Sequence, residues 1–165
     1  MLGRSVRLAR ESGVESVFVV LGAFARSIAT AVEPLAAVSL INTRWKTGMA
    51  SSVKSGVRRV MQDMPEANAV LMIVCDQPYL STEHLRLLMA EFAAKNAESI
   101  VASEYAGDMG IPAVFPRSQF DALLRLEGDQ GARSLLRNAT CPVCLIPFAG
   151  GEVDVDSPED LQALV

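Results

Sequence analysis

The fold is decided by the stretch AVLMIVC at residues 69–75, which is followed at once by Asp76, Gln77 and Pro78. An unbroken apolar run bounded by turn residues is typical of a strand that a parallel sheet buries on both faces. Proline cannot donate a ladder hydrogen bond, so Pro78 favours a turn over a longer strand. The sequence therefore predicts a buried strand that ends in a polar turn carrying a carboxylate.

Shorter apolar runs alternate with amphipathic segments on both sides of this strand. Helices are predicted over residues 2–9 with a stop at Gly13, over 25–33, 51–61, from Ser81 onward, over 118–126, 129–138 and from Ser157 onward. Strands are predicted at 17–21, 38–41, 69–75, 99–102, 113–115, 143–146 and 153–155. This alternation predicts an α/β domain with a mostly parallel sheet and right-handed crossovers.

The composition is that of a globular protein, since 50% of the 165 residues are apolar and 21% are charged. The length fits a single domain over residues 1–165. The net charge of −4 leaves no broad cationic surface, so no nucleic-acid partner is expected. The apolar runs are too short to span a bilayer, and the first residues lack the apolar core of a signal peptide. We therefore expect a cytoplasmic protein with no membrane partner.

The three cysteines and the one histidine do not predict a redox, zinc or triad site. An odd number of cysteines without a secretion signal argues against a disulfide framework. The CPVC segment at 141–144 leads into an apolar run instead of opening a helix, and too few further ligands exist for structural zinc. We predict buried or incidental thiols. His84 has no Ser or Cys partner at a recognisable spacing, so no catalytic triad is predicted.

Asp76 is the first candidate site residue, because ligands of open α/β sheets bind beyond the carboxyl ends of the strands. A carboxylate there suits a hard divalent cation such as Mg²⁺, while the alternative is a turn residue that caps the strand end. The segment DVDSPED at 154–160 is a second acidic cluster. Alternation along a strand would place Asp154 and Asp156 on one face, and Asp156 could share a metal with Asp76. The alternative role of Asp156 is charge at a helix N-terminus.

The loop NTRWKTGMASS at residues 42–52 is the second candidate site. It ends at a helix start and combines an amide, a glycine, two hydroxyls and free backbone N–H groups, which suits a base, a sugar or a phosphate. Its alternative is structural, with Trp45 packing and the serines capping a helix. Two glycine-marked turns follow at 110–116 and 128–133. Arg133 in the second turn suits an oxyanion, with a surface salt bridge as the alternative.

Taken together, these segments resemble the nucleotidyltransferases of molybdenum cofactor biosynthesis, closest to the molybdenum cofactor cytidylyltransferases within the MobA-like NTP transferase family. Each piece alone is weak, but their order and spacing cover nearly the whole chain. The matching pieces are SGV at 12–14 before VVLG at 19–22, N-x-x-W-x-x-GM-x-x-SV-x-x-G at 42–56, CDQP at 75–78, G-x-P-x-x-F at 110–115, GD-x-GAR at 128–133 and DVDSPED at 154–160.

The resemblance implies a three-layer α/β/α Rossmann-like nucleotidyltransferase fold, the nucleotide-diphospho-sugar transferase fold. It implies transfer of a nucleotidyl group from an NTP, with CTP expected, to a phosphorylated acceptor such as molybdopterin, with release of pyrophosphate. Asp76 matches the metal-binding aspartate of the family and Asp156 its candidate second ligand, so Mg²⁺ is the expected cofactor. The residues that match the region approaching the base and ribose are Asn42, Gly48, Met49 and Ser52.

The sequence departs from the family pattern in two places. Ile111 stands where many cytidylyltransferase relatives carry a histidine. The family also begins with a strand and a glycine-rich loop of the form L-A-A-G-x-S-x-R-M-G-x-x-K, which holds the triphosphate and which this sequence lacks. We therefore expect an N-terminally truncated domain that starts on the order of 30 residues late, the size of one βα unit. Because the lost strand is central in the family, two buried strands should have unpaired edges.

Several alternatives to an intact enzyme follow from that expectation. Another segment fills the gap, the chain self-associates through the open edges, or the start site is misassigned. The runner-up to a nucleotidyltransferase is a catalytically impaired nucleotide-binding or interaction module. A phospho-acceptor receiver domain with Asp76 as the acceptor is disfavoured, because Gly22 and Ala23 stand where that class needs an early acidic pair.

Overall fold

The computed structural model describes residues 1–155 and 157–163, so the prediction for Asp156 lies outside the described residues. Within that part of the chain, no helix combines the length and the apolar character needed to cross a membrane. The helices are α1 (Leu2–Ser12), α2 (Ala25–Val32), α3 (Met49–Asp63), α4 (Thr82–Ala94), α5 (Phe120–Arg125), α6 (Ala132–Arg137) and α7 (Pro158–Ala163). The strands are β1 (Phe18–Leu21), β2 (Val38–Ile41), β3 (Ala69–Met72), β4 (Ile100–Tyr105), β5 (Asp108–Pro116) and β6 (Val143–Pro147).

The strands form a parallel β1–β2 pair and a four-stranded sheet in the order β3-β5-β4-β6. In the larger sheet β3, β4 and β6 run in one direction and β5 alone opposes them, so the predicted mostly parallel α/β arrangement is confirmed. The reversal comes from a tight hairpin at Ala106 and Gly107, which both have positive φ. Hairpin turns of this kind favour Asn-Gly or Asp-Gly, so an Ala-Gly pair gave no signal for the hairpin in the sequence.

The most deeply buried strands are β4 and β5. Their side chains Ile100, Val101, Ala113 and Phe115 are all 0% exposed. The apolar run at 69–75 carries the strongest strand signal in the sequence, yet all four residues of β3 are only half-buried. The reason is topological: β3 lies at the end of its sheet and pairs only with β5.

No strand pairing joins β1 to β3 within residues 1–155 and 157–163, which confirms the predicted open edges. Helices close both faces instead. On one face, Val6 of α1 belongs to the buried cluster of β1, and Leu8 of α1 packs against the same buried cluster as Leu71 of β3. On the other face, α3 shares a cluster with Val70 and Met72 of β3 and passes close to Val20 of β1 at Gly56. The two sheets are therefore held together by side-chain packing.

Local signals in the sequence predicted most helix starts. Ser81 caps α4 through its Oγ, which accepts from the His84 backbone N–H at 3.1 Å. Ser157 and Asp160 form the reciprocal pair of a capping box at α7. The predicted strand at 153–155 is wrong, because these residues belong to no ladder. That segment is short and follows two glycines, and in place of a ladder it makes a turn bond from the Val153 N–H to the Gly150 carbonyl and a single bond from the Val155 N–H to the Asp76 carbonyl.

Candidate functional site

The carboxyl end of β3 carries Asp76, and a second segment of the chain is bonded directly to it. The Val155 backbone N–H donates to the Asp76 carbonyl oxygen at 2.9 Å. This bond places the exposed residue Asp154 and the end of the described 1–155 segment next to the β3 turn. Among the described residues no group of three or more His, Cys, Asp or Glu side chains could hold a metal ion. The Asp76–Asp156 pair therefore stays a prediction.

Gln77 ties this turn to two further segments. Its side chain is 3% exposed, and its Nε2 donates to the backbone carbonyls of Ile111 and Gly151, both at 2.9 Å. Both partners are acceptors only, so the amide must present its nitrogen to them. Its Oε1 is buried and accepts no hydrogen bond from the described residues. Sequence patterns placed Gln77 only in a turn, since no local pattern signals that a turn amide is buried.

Tyr105 fills the space between the same segments, and sequence reasoning missed it. A Cβ atom at Gly110 would overlap its hydroxyl group, and one at Gly151 would lie 2.5 Å from its Cδ1. The Tyr105 hydroxyl donates to the Ile111 carbonyl at 3.2 Å. Burial is the main cause that raises the pKa of Tyr105. The glycine of the G-x-P-x-x-F motif is therefore required for close packing under an aromatic ring.

The loop at 42–52 is organised from within by Asn42, which is 4% exposed. Its Nδ2 donates to Ser51 Oγ at 2.8 Å and to Ser52 Oγ at 3.1 Å. Its Oδ1 accepts from the Arg44 backbone N–H at 3.0 Å. Both polar atoms of the amide thus shape the loop, and the serine hydroxyls are oriented by the same side chain.

Gly48 and Met49 join this loop to the GD-x-GAR turn. Gly48 has a φ of 107°, and a Cβ atom there would overlap the Gly128 backbone. The Ala50 N–H donates to the Gly128 carbonyl oxygen at 3.1 Å. Met49 is 59% exposed, and its sulfur occupies the space that a side chain at Gly131 would need. The two loops therefore form one continuous surface.

Arg133 connects the two halves of the site. Its Nε donates to the Met109 carbonyl oxygen at 2.9 Å, and its guanidinium carbon lies 5.7 Å from the centre of the Tyr105 ring. Arg133 and Arg137 both pair with the Asp108 carboxylate, which confirms the salt-bridge alternative for Arg133. The hydrogen bond from Arg137 is the main cause that lowers the pKa of Asp108.

His84 and Ser103 form a buried pair, yet its geometry excludes a Ser–His nucleophile. The Ser103 hydroxyl donates to the Pro112 carbonyl oxygen at 2.7 Å, so its Oγ accepts from His84 Nε2 at 2.8 Å. A nucleophilic serine would need the opposite direction, with its proton on the histidine. Desolvation lowers the pKa of His84, which also stacks on Phe148 with ring centres 4.5 Å apart. The prediction that His84 belongs to no triad is consistent with this geometry.

The three cysteines are free, and none is fully buried, since Cys75 is exposed and Cys141 and Cys144 are half-buried. Cys141 packs with the cluster around Phe115, whereas Cys144 packs with the cluster around Leu85 and Val101. The two thiols of the C-x-x-C segment therefore pack against different hydrophobic clusters. Desolvation of its sulfur, and then the neighbouring Asp76 charge, raise the pKa of Cys75. A thiol of raised pKa is a poor nucleophile at neutral pH.

Comparisons with known proteins agree with this architecture. The family profile described as MobA-like NTP transferase domain matches residues 1–143. Purine catabolism protein PucB of Bacillus subtilis (strain 168) is 34% identical over 116 residues, which are 68% of this chain and 54% of that protein. The chain thus spans about half of the length of this curated relative.

Solved structures match over almost the whole chain. Rv0371c of Mycobacterium tuberculosis H37Rv, in complex with manganese, is 26% identical with a TM-score of 0.79, covering 99% of this chain and 84% of that chain. CMP:2-keto-3-deoxy-manno-octonic acid synthetase, complexed with CTP, is 14% identical with a TM-score of 0.71, covering 99% and 84%. The second likeness concerns the fold alone. These matches confirm the three-layer fold that the sequence predicted.

Proposed function

Since the chain belongs to the MobA-like NTP transferase domain family, as its motifs predicted, we propose that it is a nucleotidyltransferase. In this proposal one domain over residues 1–165 transfers a nucleotidyl group from an NTP to a phosphorylated acceptor and releases pyrophosphate. The observation that carries the proposal is the bond from Val155 to Asp76, which supports an acidic site at the carboxyl end of β3. Ligands of α/β sheets bind at this edge.

The proposed chemistry needs no protein nucleophile. The acceptor phosphate attacks the α-phosphorus in line, and the chain's own task is to bind and orient the two substrates. A bound divalent cation would supply neutralisation of the charge that develops on the phosphates. We propose Asp76 and Asp156 as its ligands and Mg²⁺ as the cation, because carboxylate oxygens suit hard cations. The manganese complex of Rv0371c supports a divalent cation in a relative.

The nucleotide is proposed to lie over the surface that joins the two glycine loops. Met49 and Trp45 are 59% and 40% exposed, which leaves apolar area free for a base. Gly48 brings backbone close to this surface, and the hydroxyl of Ser52 lies in the same loop. Asn42 would act by orienting the loop, since both of its polar atoms are engaged there. CTP is the proposed nucleotide and molybdopterin the proposed acceptor, both from the cytidylyltransferase resemblance.

Turnover of nucleotides tests this proposal directly. Pyrophosphate release is measured with CTP, GTP and ATP, with Mg²⁺ or Mn²⁺, and with molybdopterin as acceptor. Because the relative PucB carries the name of a purine catabolism protein, purine nucleotides are added as acceptors. Asp76→Asn should lower the rate at least about 100-fold, as removal of a cation ligand removes transition-state stabilisation. Asp121→Asn, on the exposed face of α5, should leave the rate unchanged.

Two outcomes would contradict the enzyme. The first is a wild-type protein that releases no pyrophosphate with any nucleotide and acceptor, and the second is an Asp76→Asn variant as active as wild type.

The proposal also includes a cytoplasmic location. It includes no nucleic-acid partner, and this part rests on the net charge of −4. Fractionation of cells that express the protein tests the location.

The second candidate is a nucleotide-binding or interaction module without turnover. The open edges of β1 and β3 favour it, because unpaired strand edges are templates for association. Calorimetry with CTP, GTP and ATP separates binding from indifference, and sedimentation at rising protein concentration detects self-association. Weak or absent nucleotide binding without pyrophosphate release, together with a concentration-dependent dimer, would support this module over the enzyme.

A further inference from the structure

We propose that Gln77 is the positioning residue that holds the 151–155 segment against Asp76, and that divalent-cation binding at this turn depends on its amide. This inference deepens the proposed function and rests on it for the cation. Gln77 itself is assigned no contact with substrate or cation. Its role is to act through the Gly151 carbonyl on the segment that precedes Asp156.

The Gln77 amide connects two separate segments of the backbone. One amide nitrogen bridges two backbone carbonyls, Ile111 on β5 and Gly151 in the turn before the acidic segment, both at 2.9 Å. Four residues beyond Gly151, Val155 donates to the carbonyl of Asp76, which is the neighbour of Gln77. The 151–155 segment is therefore fixed at both ends to the same two-residue turn.

Besides the Gln77 amide, two turn bonds hold the 151–155 segment: the Gly151 N–H donates to the Phe148 carbonyl at 3.1 Å and the Val153 N–H donates to the Gly150 carbonyl at 3.2 Å. The segment belongs to no ladder, so it lacks the repeated backbone hydrogen bonds that hold a strand in register. Tyr105 packs on Gly151, but an aromatic contact restricts position less than a directed hydrogen bond does. Among the described residues, the Gln77 amide is thus the one side chain that hydrogen-bonds both the β5 backbone and this turn.

The two carbonyls require an amide side chain at position 77. The side chain is 3% exposed, so water does not replace lost hydrogen bonds there. Methionine has a similar length and no donor, so it would remove the side-chain donor of the Gly151 carbonyl and leave the Ile111 carbonyl with the Tyr105 hydroxyl. A glutamate would place a carboxylate against two carbonyl oxygens. Only a side chain with two N–H donors satisfies both acceptors at once.

The test compares Gln77→Met with Gln119→Met. Gln119 is also buried, at 6% exposed, but it follows the end of β5, at the end of the sheet opposite to Asp76. Amide hydrogen exchange of Val155 is measured in the metal-free protein, and binding of Mn²⁺ is measured from the electron paramagnetic resonance signal of the free ion. Thermal unfolding of each variant reports the general loss of stability. Gln77→Asn, one methylene too short, carries the same comparison if the methionine variant does not fold.

The expected result is specific to Gln77. Its variants should exchange the Val155 amide at least about 10-fold faster through local opening. They should bind Mn²⁺ about 10–100-fold more weakly, as outer-shell changes do at metal sites. Gln119→Met should leave both readouts close to wild type even where its melting temperature falls by the same amount.

Two results would overturn the inference: unchanged Val155 exchange in the Gln77 variants, or faster exchange with unchanged Mn²⁺ affinity. Equal effects from Gln119→Met would reduce Gln77 to a general stability role and overturn it as well. A wild-type protein that binds no Mn²⁺ contradicts the proposed cation site, and in that case the exchange of Val155 still decides whether Gln77 positions the segment.

Discussion

The four-stranded sheet is buried more completely than the β1–β2 pair. In the larger sheet, β4 and β5 are enclosed on both faces and their central side chains are fully buried. In the pair, Val38 and Ile41 of β2 are 37% and 57% exposed. The candidate nucleotide loop follows β2, whereas Asp76 follows β3. The proposed site therefore spans a strongly packed region and a weakly packed one.

What joins the regions is side chains, not a strand ladder. Arg4 of α1 donates to the Leu80 carbonyl beyond β3, and Arg10 of the same helix donates to the Ala36 carbonyl before β2. On the opposite face α3 packs on both sheets. Gly48 and Gly128 make the contact at the site itself. The relative position of the two halves therefore depends on a few close contacts.

The largest loss of stability should come from the cluster around Phe115, with a smaller loss from the cluster of β1. Phe115→Ala should lower the free energy of unfolding by about 3–5 kcal/mol, because it leaves a cavity in a fully enclosed cluster. Val19→Ala, in the cluster of β1, should cost about 2 kcal/mol, from two buried methyl groups. Urea unfolding followed by circular dichroism measures both values. A loss at Val19 as large as the loss at Phe115 would contradict the looser packing of the β1 cluster, because Val19→Ala removes far fewer atoms.

The next effect targets the contact between the halves. Gly48→Ala adds a Cβ that overlaps the Gly128 backbone at a φ of 107°, so it should cost about 1–3 kcal/mol and weaken nucleotide binding. Gly13→Ala is the matched control, since it has a φ of 98° and nothing within 4 Å of the added Cβ. Thermal unfolding and calorimetry with CTP separate the two. If both variants bind CTP equally, the glycine contact does not shape the site.

A smaller effect concerns the open edges. Along β1 the bonds to β2 involve Val17 and Leu21, so the Val20 amide faces away from β2. It should exchange with deuterium at least about 10-fold faster than the amide of Val101 in the enclosed sheet, because local opening is easier at an unpaired edge. Exchange followed by nuclear magnetic resonance tests this. Equal protection of the two amides would mean that the β1 edge is covered in solution.

The smallest effect is a pH dependence confined to the larger sheet. Desolvation lowers the pKa of His84, the single histidine, so the folded state prefers the neutral ring. The stability this provides is complete above the ordinary histidine pKa of about 6.5 and is lost as pH falls below it toward the folded value. Urea unfolding between pH 7.5 and 5.5, in wild type and His84→Gln, measures the slope. A variant with the same slope as wild type would contradict the assignment.

Much of the fold was readable from local patterns. The run at 69–75 predicted β3, Ser81 predicted the start of α4, and the alternation predicted an α/β sheet. The hairpin of β4 and β5 was missed because Ala106 carries no turn signal, although this hairpin holds the deepest core. The strand at 153–155 was predicted wrongly, since three alternating residues cannot reveal whether a partner strand lies beside them.

Some residues of the candidate site could be predicted from the sequence, and others could not. The sequence predicted Asp76 and the 42–52 loop from their place at strand ends, and Arg133 from its motif. It gave no signal for Tyr105 or for the role of Gln77, because their partners lie far away along the chain. Asn42 was predicted as a binding residue, and the structure shows its amide occupied by its own loop. Its direct contact with a nucleotide stays a prediction.

The sequence by itself determined the family, the order of strands and helices, and the motifs that mark the strand ends. These depend on residue type and local spacing, which a linear chain displays openly. That β4 and β5 form the core and that Gln77 ties Ile111 to Gly151 became visible in the tertiary structure alone. Such facts depend on which distant backbone groups meet in a buried space, and burial is a property of the assembled chain.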